Sequence, residues 1–161
     1  VANTGNAITL KHLSNEKLIQ IITKVYLDAS NPTALFNEFD FTITCAVFYK
    51  DTLYLGETFL EDLSSRSLIT YNKNLKYPIA TLIRTKKYQR YGFKISSMLL
   101  VNLALQIHAL DISTYADLKD QLQGIDTTIF DAMLKDTSQL SFTVPDMLSY
   151  MSENYFNYLE N

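Results

Sequence analysis

Cysteine is almost missing from this sequence. Cys45 is the only one, so no internal disulfide can form, which suits a reducing compartment. Glycine and proline are scarce, with four and three copies, and this argues against long flexible linkers. No apolar run approaches the roughly 20 residues that a bilayer-spanning helix needs. No positively charged start followed by an apolar stretch and a small-residue cleavage site opens the chain. Together these absences point to a soluble protein of the cytoplasm with no membrane partner. Val1 rather than Met stands first, as expected of a processed or trimmed piece of something longer.

The residues present make an ordinary globular composition, 47% hydrophobic and 19% charged over 161 residues. A chain of that length fits one domain, or a small α/β unit with a helical extension, and can bury roughly two-thirds of its unfolded surface. The net charge of −3 conceals an asymmetry. Seven basic residues and no acid lie between Lys73 and Lys94, half of the 14 in the chain. From Asp111 onward nine acids face only Lys119 and Lys135. A focused positive patch attracts anionic groups whatever the sign of the whole molecule.

Periodicity predicts an α+β fold: a small mixed or antiparallel sheet with helices in the N-terminal half, then a helical C-terminal half, divided as 1–76 and 77–161. Ala7 to Leu10 reads as a short strand. Ser14 reads as the cap of a helix carrying Leu18, Ile21, Ile22 and Val25 at helical spacing. Asn31-Pro32 starts a short helix. Asp40 to Tyr49, rich in β-branched and aromatic residues, reads as a strand, with Lys50-Asp51 as a turn and Thr52 to Leu55 as its hairpin partner. A short helix over Thr58 to Ser65 and a strand over Ser67 to Tyr71 follow. Pro78 then opens a helix that Gly92 stops. Ser96 or Ser97 caps the next helix, and Ser113 a third that Gly124 ends. Asp126 begins a fourth and Pro145 a last one bearing Met147, Met151, Tyr155 and Tyr158.

Three segments carry a resemblance. Phe39-Asp40-Phe41-Thr42-Ile43-Thr44-Cys45 is followed by Asp62-Leu63-Ser64-Ser65-Arg66-Ser67-Leu68. The helix from Tyr77-Pro78 through Arg84 to Tyr88 comes next and closes on Tyr91-Gly92-Phe93-Lys94-Ile95. In order and spacing this is similar to the template-independent tRNA nucleotidyltransferases, the CCA-adding enzymes and bacterial poly(A) polymerases, over about residues 39 to 95. The resemblance implies nucleotidyl transfer to RNA, with Mg2+ as cofactor if the whole protein is catalytic. It departs from the family at Glu38 and Phe39, where two arginines stand, and at Thr44, Tyr77 and Thr81. The Gly-Ser and D-x-D segment that holds the family's metals is absent, so an active enzyme would need an upstream segment.

Nucleotidyl transfer uses two divalent ions about 4 Å apart, held by carboxylates. Glu38 and Asp40 have the alternate spacing that puts two carboxylates on one face of a strand. They are therefore the candidate metal ligands, with Asp40 also the candidate catalytic carboxylate. The competing reading has Glu38 in solvent and Asp40 bonded to backbone. Arg66 is a candidate nucleotide contact, or an ion-pair partner of Asp62 four residues away. On the Pro78 helix, Arg84, Lys87, Tyr88 and Arg90 are candidate nucleotide or RNA contacts, cations for phosphates and a tyrosine for base stacking. An ordinary solvated face is the alternative there, with Leu82 and Ile83 packing on the sheet. His108 reads as a core residue and Cys45 as a buried, inert one. Three functions compete: a partial nucleotidyltransferase, a non-catalytic module binding nucleic acid or a protein through helix 78–91, and an unrelated interaction protein.

Overall fold

A computed structural model of the chain describes residues 2–4, 7–23 and 26–125. The expected helices beginning at Asp126 and Pro145 lie outside the described residues. The fold is α+β, with small antiparallel sheets and helices. It divides into two compact units, residues 1–73 and 74–161.

The first unit opens with three antiparallel strands, β1 (Ala2–Thr4), β2 (Ala7–Lys11) and β3 (Leu18–Ile22), in the order β1-β2-β3. β3 corrects the helix expected after Ser14. Leu18, Ile19, Ile21 and Ile22 satisfy both a helical and an extended spacing, and β-branched isoleucine favours the strand once a partner is available. Ile8 pairs with Ile21, and Leu10 with Ile19. The turn between the strands is locally closed. His12 N–H donates to the Lys17 carbonyl at 2.8 Å, and Glu16 adopts a left-handed φ of 59°. Ser14, expected as a helix cap, instead directs its N–H to His12 Nδ1 at 3.3 Å.

A 3-10 helix over Pro32–Glu38 follows, with Pro in its first turn. The continuous strand expected from Asp40 to Tyr49 is broken. Phe41 makes an isolated bridge to Thr70, Thr42–Thr44 is a 3-10 turn, and only Ala46–Tyr49 (β4) is a strand. The Thr44 hydroxyl explains the break. Thr44 Oγ1 donates to the Phe41 carbonyl at 2.7 Å, offering the backbone a local turn in place of a ladder. β4 pairs with β5 (Thr52–Leu55) through Lys50 and Asp51. Both turn residues are left-handed, at φ 47° and 61°, as a two-residue hairpin connection demands.

Phe36, Cys45 and Val47 form the buried centre of this unit, covered by Leu27, Leu35, Phe39, Tyr49 and Tyr54. Phe36 also meets Tyr71 edge-on at 6.0 Å. Gly56 belongs to the same packing, because a Cβ there would stand 2.9 Å from Cys45 Cβ. The helix α1 (Phe59–Ser65) ends at Arg66, whose φ of 53° is left-handed.

In the second unit, α2 (Pro78–Arg90) packs on α3 (Ser97–His108) and α4 (Tyr115–Gln121). Of the expected pair Leu82 and Ile83, only Ile83 is half-buried, and smaller residues fill the inward side of α2. Ala80, Thr81 and Thr85 are buried, whereas Leu82 is exposed. Small residues let helices approach closely, and each threonine hydroxyl satisfies itself on its own helix, Thr81 on the Tyr77 carbonyl and Thr85 on that of Leu82. Leu99 and Leu103 of α3 and Leu118 and Leu122 at α4 complete the core. Gly92, at φ 83°, ends α2, and Phe93 folds back to meet the Tyr88 ring edge-on at 5.8 Å. Ser96 caps α3 as expected. Thr114 rather than Ser113 caps α4, in a reciprocal pair with Asp117 whose carboxyl is held below its usual pKa by the Thr114 hydroxyl and backbone N–H. His108, expected in the core, is exposed in the last turn of α3.

Candidate functional site

The carboxylates expected to bind metal do not share a strand. Glu38 ends the 3-10 helix and is exposed, while Asp40 lies in the bend beyond it, half-buried. The Asp40 carbonyl accepts the Tyr71 N–H at 2.9 Å. The helical backbone at Glu38 removes the alternation on which two-carboxylate metal binding was predicated. Among the described residues no group of three or more His, Cys, Asp or Glu is placed to hold a metal ion.

Asp62, suggested as an ion-pair partner of Arg66, is buried and accepts the Thr58 hydroxyl at 2.6 Å. Arg66 is exposed, and its backbone N–H closes the end of α1 on the Asp62 and Leu63 carbonyls. Cys45 is buried as expected, and burial pushes its thiol up to about 11.

On α2 the candidate cations separate into two kinds. Arg84 is half-buried, and its guanidinium donates to the Gln123 carbonyl, tying α2 to the end of α4. Gly124 sits against it at φ 70°, where a Cβ would come within 2.8 Å of Arg84 Nη2. Lys86, Lys87 and Arg90 are exposed on the solvent side of the helix. Lys87 Nζ lies 6.0 Å from the centre of the Tyr91 ring. Tyr88 is half-buried, with its ring edge-on to both Tyr91 and Phe93. It is therefore part of the packing that closes α2 rather than an open stacking platform. Arg84→Ala should lower stability by about 1–3 kcal/mol, because a charged hydrogen bond is lost and the Gln123 carbonyl is left without it. Lys87→Ala should stay within about 0.5 kcal/mol, as surface changes do. Denaturant midpoints of the two variants provide the comparison.

The most distinctive surface joins a segment expected as a strand, Ala7–Lys11, to one expected on a helix, Leu18–Ile22. In the β2–β3 pairing, side chains opposite each other share a face. Ala7, Thr9, Lys11, Leu18, Gln20 and Ile22 lie on one side, a mixed face on which Thr9 and Gln20 are joined by a 3.2 Å hydrogen bond and Leu18 and Ile22 are exposed. Ile8 with Ile21 and Leu10 with Ile19 lie on the other, which is wholly aliphatic. That face is open: Leu10 is 38% exposed, Ile21 49% and Ile19 61%, with only Ile8 half-covered. Leu13, in the turn, is fully exposed. Isolated exposed aliphatics are ordinary, but paired ones filling one side of a sheet edge are not, because an edge also offers unpaired backbone groups. The signal was legible as two aliphatic-polar-aliphatic triplets, Ile8-Thr9-Leu10 and Ile19-Gln20-Ile21, flanking a polar turn.

Comparison with known proteins bears on the same region. A family described as Gabija anti-defense 2 family protein matches the chain over residues 1–66, a span that includes the whole β1–β3 sheet. A curated relative from Bacillus phage SPbetaL7, named Gabija anti-defense 2, is 31% identical over 147 residues, 87% of this chain. The chain spans 36% of that relative's length. No solved structure matches. These matches overturn the assignment to the CCA-adding and poly(A) polymerase family, and with it the reading as an RNA-binding partial nucleotidyltransferase. The short segments that carried that resemblance begin within residues 1–66, where the matched family is a different one.

Proposed function

We propose that this chain supplies a protein-binding surface to a phage counter-defence protein, and that the surface acts on a protein of the Gabija system in the cytoplasm of an infected bacterium. The reading rests on the similarity to Gabija anti-defense 2. The observation that carries it structurally is the open aliphatic face of Ile8, Leu10, Ile19 and Ile21. A binding partner that covers this face removes apolar area from water at about 25 cal/mol per Å2, and β3 can add main-chain hydrogen bonds along its edge. This is the chemistry of a docking site for protein, needing neither a metal nor a bound nucleotide.

The test is plating of a Gabija-sensitive phage on bacteria that carry Gabija and express the chain. The native chain should restore plaques. Ile19→Lys with Ile21→Lys should abolish the rescue while the chain accumulates to the same level and keeps its circular dichroism, since both side chains already face solvent. Thr9→Lys on the opposite, mixed side of the same sheet should leave rescue intact. Full rescue by the Ile19→Lys, Ile21→Lys chain would exclude the aliphatic face as the binding surface.

A further inference from the structure

Among the described residues β3 is the outer strand of its sheet, and its sequence does nothing to protect that edge. Edge strands are ordinarily blunted by a charge, a proline, a bulge or brevity, because their outward N–H and C=O groups template another strand. Leu18-Ile19-Gln20-Ile21-Ile22 contains no charge and no proline. All five residues pair with β2 in one unbroken register, and all five side chains are exposed. The opposite edge, β1, is only three residues long, with Asn3 and Thr4 among them.

β3 is also complementary to itself. Outward from Gln20 the sequence runs through two aliphatic residues in each direction, Ile19 and Leu18 one way, Ile21 and Ile22 the other. The outward backbone groups of an antiparallel edge recur on every second residue. An antiparallel strand of the same sequence therefore aligns even-numbered residues with even and odd with odd. Full overlap of the five places Gln20 on a twofold axis. Gln20 then meets its own counterpart, Ile19 meets the second copy's Ile21, and Leu18 meets the second copy's Ile22. Every cross-strand pair is aliphatic with aliphatic or amide with amide, and β3 brings no charge opposite its like. An unrelated extended segment has no such match fixed at all five positions.

We infer that the outer edge of β3 docks on β3 of a second copy of this chain, antiparallel and centred on Gln20, joining two three-stranded sheets into one of six strands. The contact is isologous, so it closes at two copies instead of growing. Opposite residues share a face, so Ile19 and Ile21 of both copies fall on one side, and the aliphatic face becomes continuous across the dimer. The inference rests on the strand itself and not on the counter-defence reading. A target that brought its own strand to this edge would displace the second copy.

Sedimentation velocity of the full chain over a dilution series of about 1–100 μM, where a small interface dissociates, tests it. The native chain should pass from monomer to dimer with no larger species. Gln20→Lys sets two cations opposite each other on the axis, and Gln20→Glu two anions, so each variant alone should dissociate about fivefold more readily. Mixed in equal amounts, the two variants should form a heterodimer at least as stable as the native dimer, which also establishes that both are folded. Thr52→Lys, the same charge placed on exposed β5, should leave the dimer unchanged. A native chain that stays monomeric throughout, association beyond the dimer, a dimer indifferent to both Gln20 variants, or variants that remain apart when mixed would overturn the inference. The readout is mass and not phage rescue, so failure here is distinguishable from failure of the sheet-face reading.

Discussion

Phe41→Ala should destabilise the first unit by about 3–5 kcal/mol, the usual cost of deleting a fully buried aromatic ring. Phe41 is 1% exposed. Its backbone organises the 3-10 turn that replaces the expected strand. The carbonyl accepts the Thr44 N–H at 3.0 Å, the Thr44 hydroxyl at 2.7 Å and the Cys45 thiol at 3.5 Å. On either side, Thr42 N–H reaches the Ile69 carbonyl and Tyr71 N–H that of Asp40, both at 2.9 Å. Removing the ring leaves a cavity where the turn, the bridge to Thr70 and α1 meet. Phe41→Leu fills most of the volume and should retain the greater part of the stability. Equilibrium denaturation of both variants measures the effect, and a loss below about 1 kcal/mol for Phe41→Ala would contradict this account of the core.

Leu103→Ala should cost about 2–5 kcal/mol in the second unit, with the spread set by how far the site can collapse. Leu103 is fully buried on α3. Its surroundings are poorly able to relax, because the inward residues of α2 are already small: Ala80, Thr81 and Thr85. Leu105→Ala, two residues along the same helix and 63% exposed, should be nearly neutral in the same measurement. A helix packed through its other side would reverse the two results.

The sequence announced the ends of elements more reliably than their insides. Pro78 opened α2 because its ring fixes φ, Gly92 closed it because glycine freely takes the positive φ of 83°, and Ser96 capped α3 because its hydroxyl meets the Leu99 N–H at 3.1 Å. The Lys50-Asp51 turn was readable from the strand-like runs on either side of it. What failed was the choice of partner. Leu18 to Ile22 is compatible with either period, and only its pairing with residues distant in sequence settles the matter. Asp40 to Thr44 has strand-like composition, yet the Thr44 hydroxyl closes it into a turn on the Phe41 carbonyl. In α2 Leu82 and Ile83 were assigned inward, whereas Ala80, Thr81 and Thr85 are buried, with Ile83 half-buried and Leu82 exposed.

The site followed the same division. The basic residues of α2 were visible as a run, but not that Arg84 holds α4 while Lys86, Lys87 and Arg90 remain on the surface. The aliphatic face of β2–β3 was hidden by the helical assignment, since on a helix Ile19 and Ile21 do not share a side. The nucleotidyltransferase reading depended on short segments whose individual matches were common, and the match over residues 1–66 to a different family displaced it.

The sole thiol of the chain is a consequence in itself. Cys45 is completely enclosed beside Phe36 and Val47, and its thiolate is suppressed by burial to a pKa of about 11. An alkylating reagent at neutral pH therefore finds almost no reactive sulfur until the first unit opens. Once it opens, the thiol returns to an ordinary pKa near 8.5 and is consumed. The protein thus carries its own clock: the rate at which one sulfur is modified counts opening events of this unit alone, with no label added. A ligand that closes over the β2–β3 sheet and stabilises the unit would slow that clock, so occupancy could be read from a single mass shift.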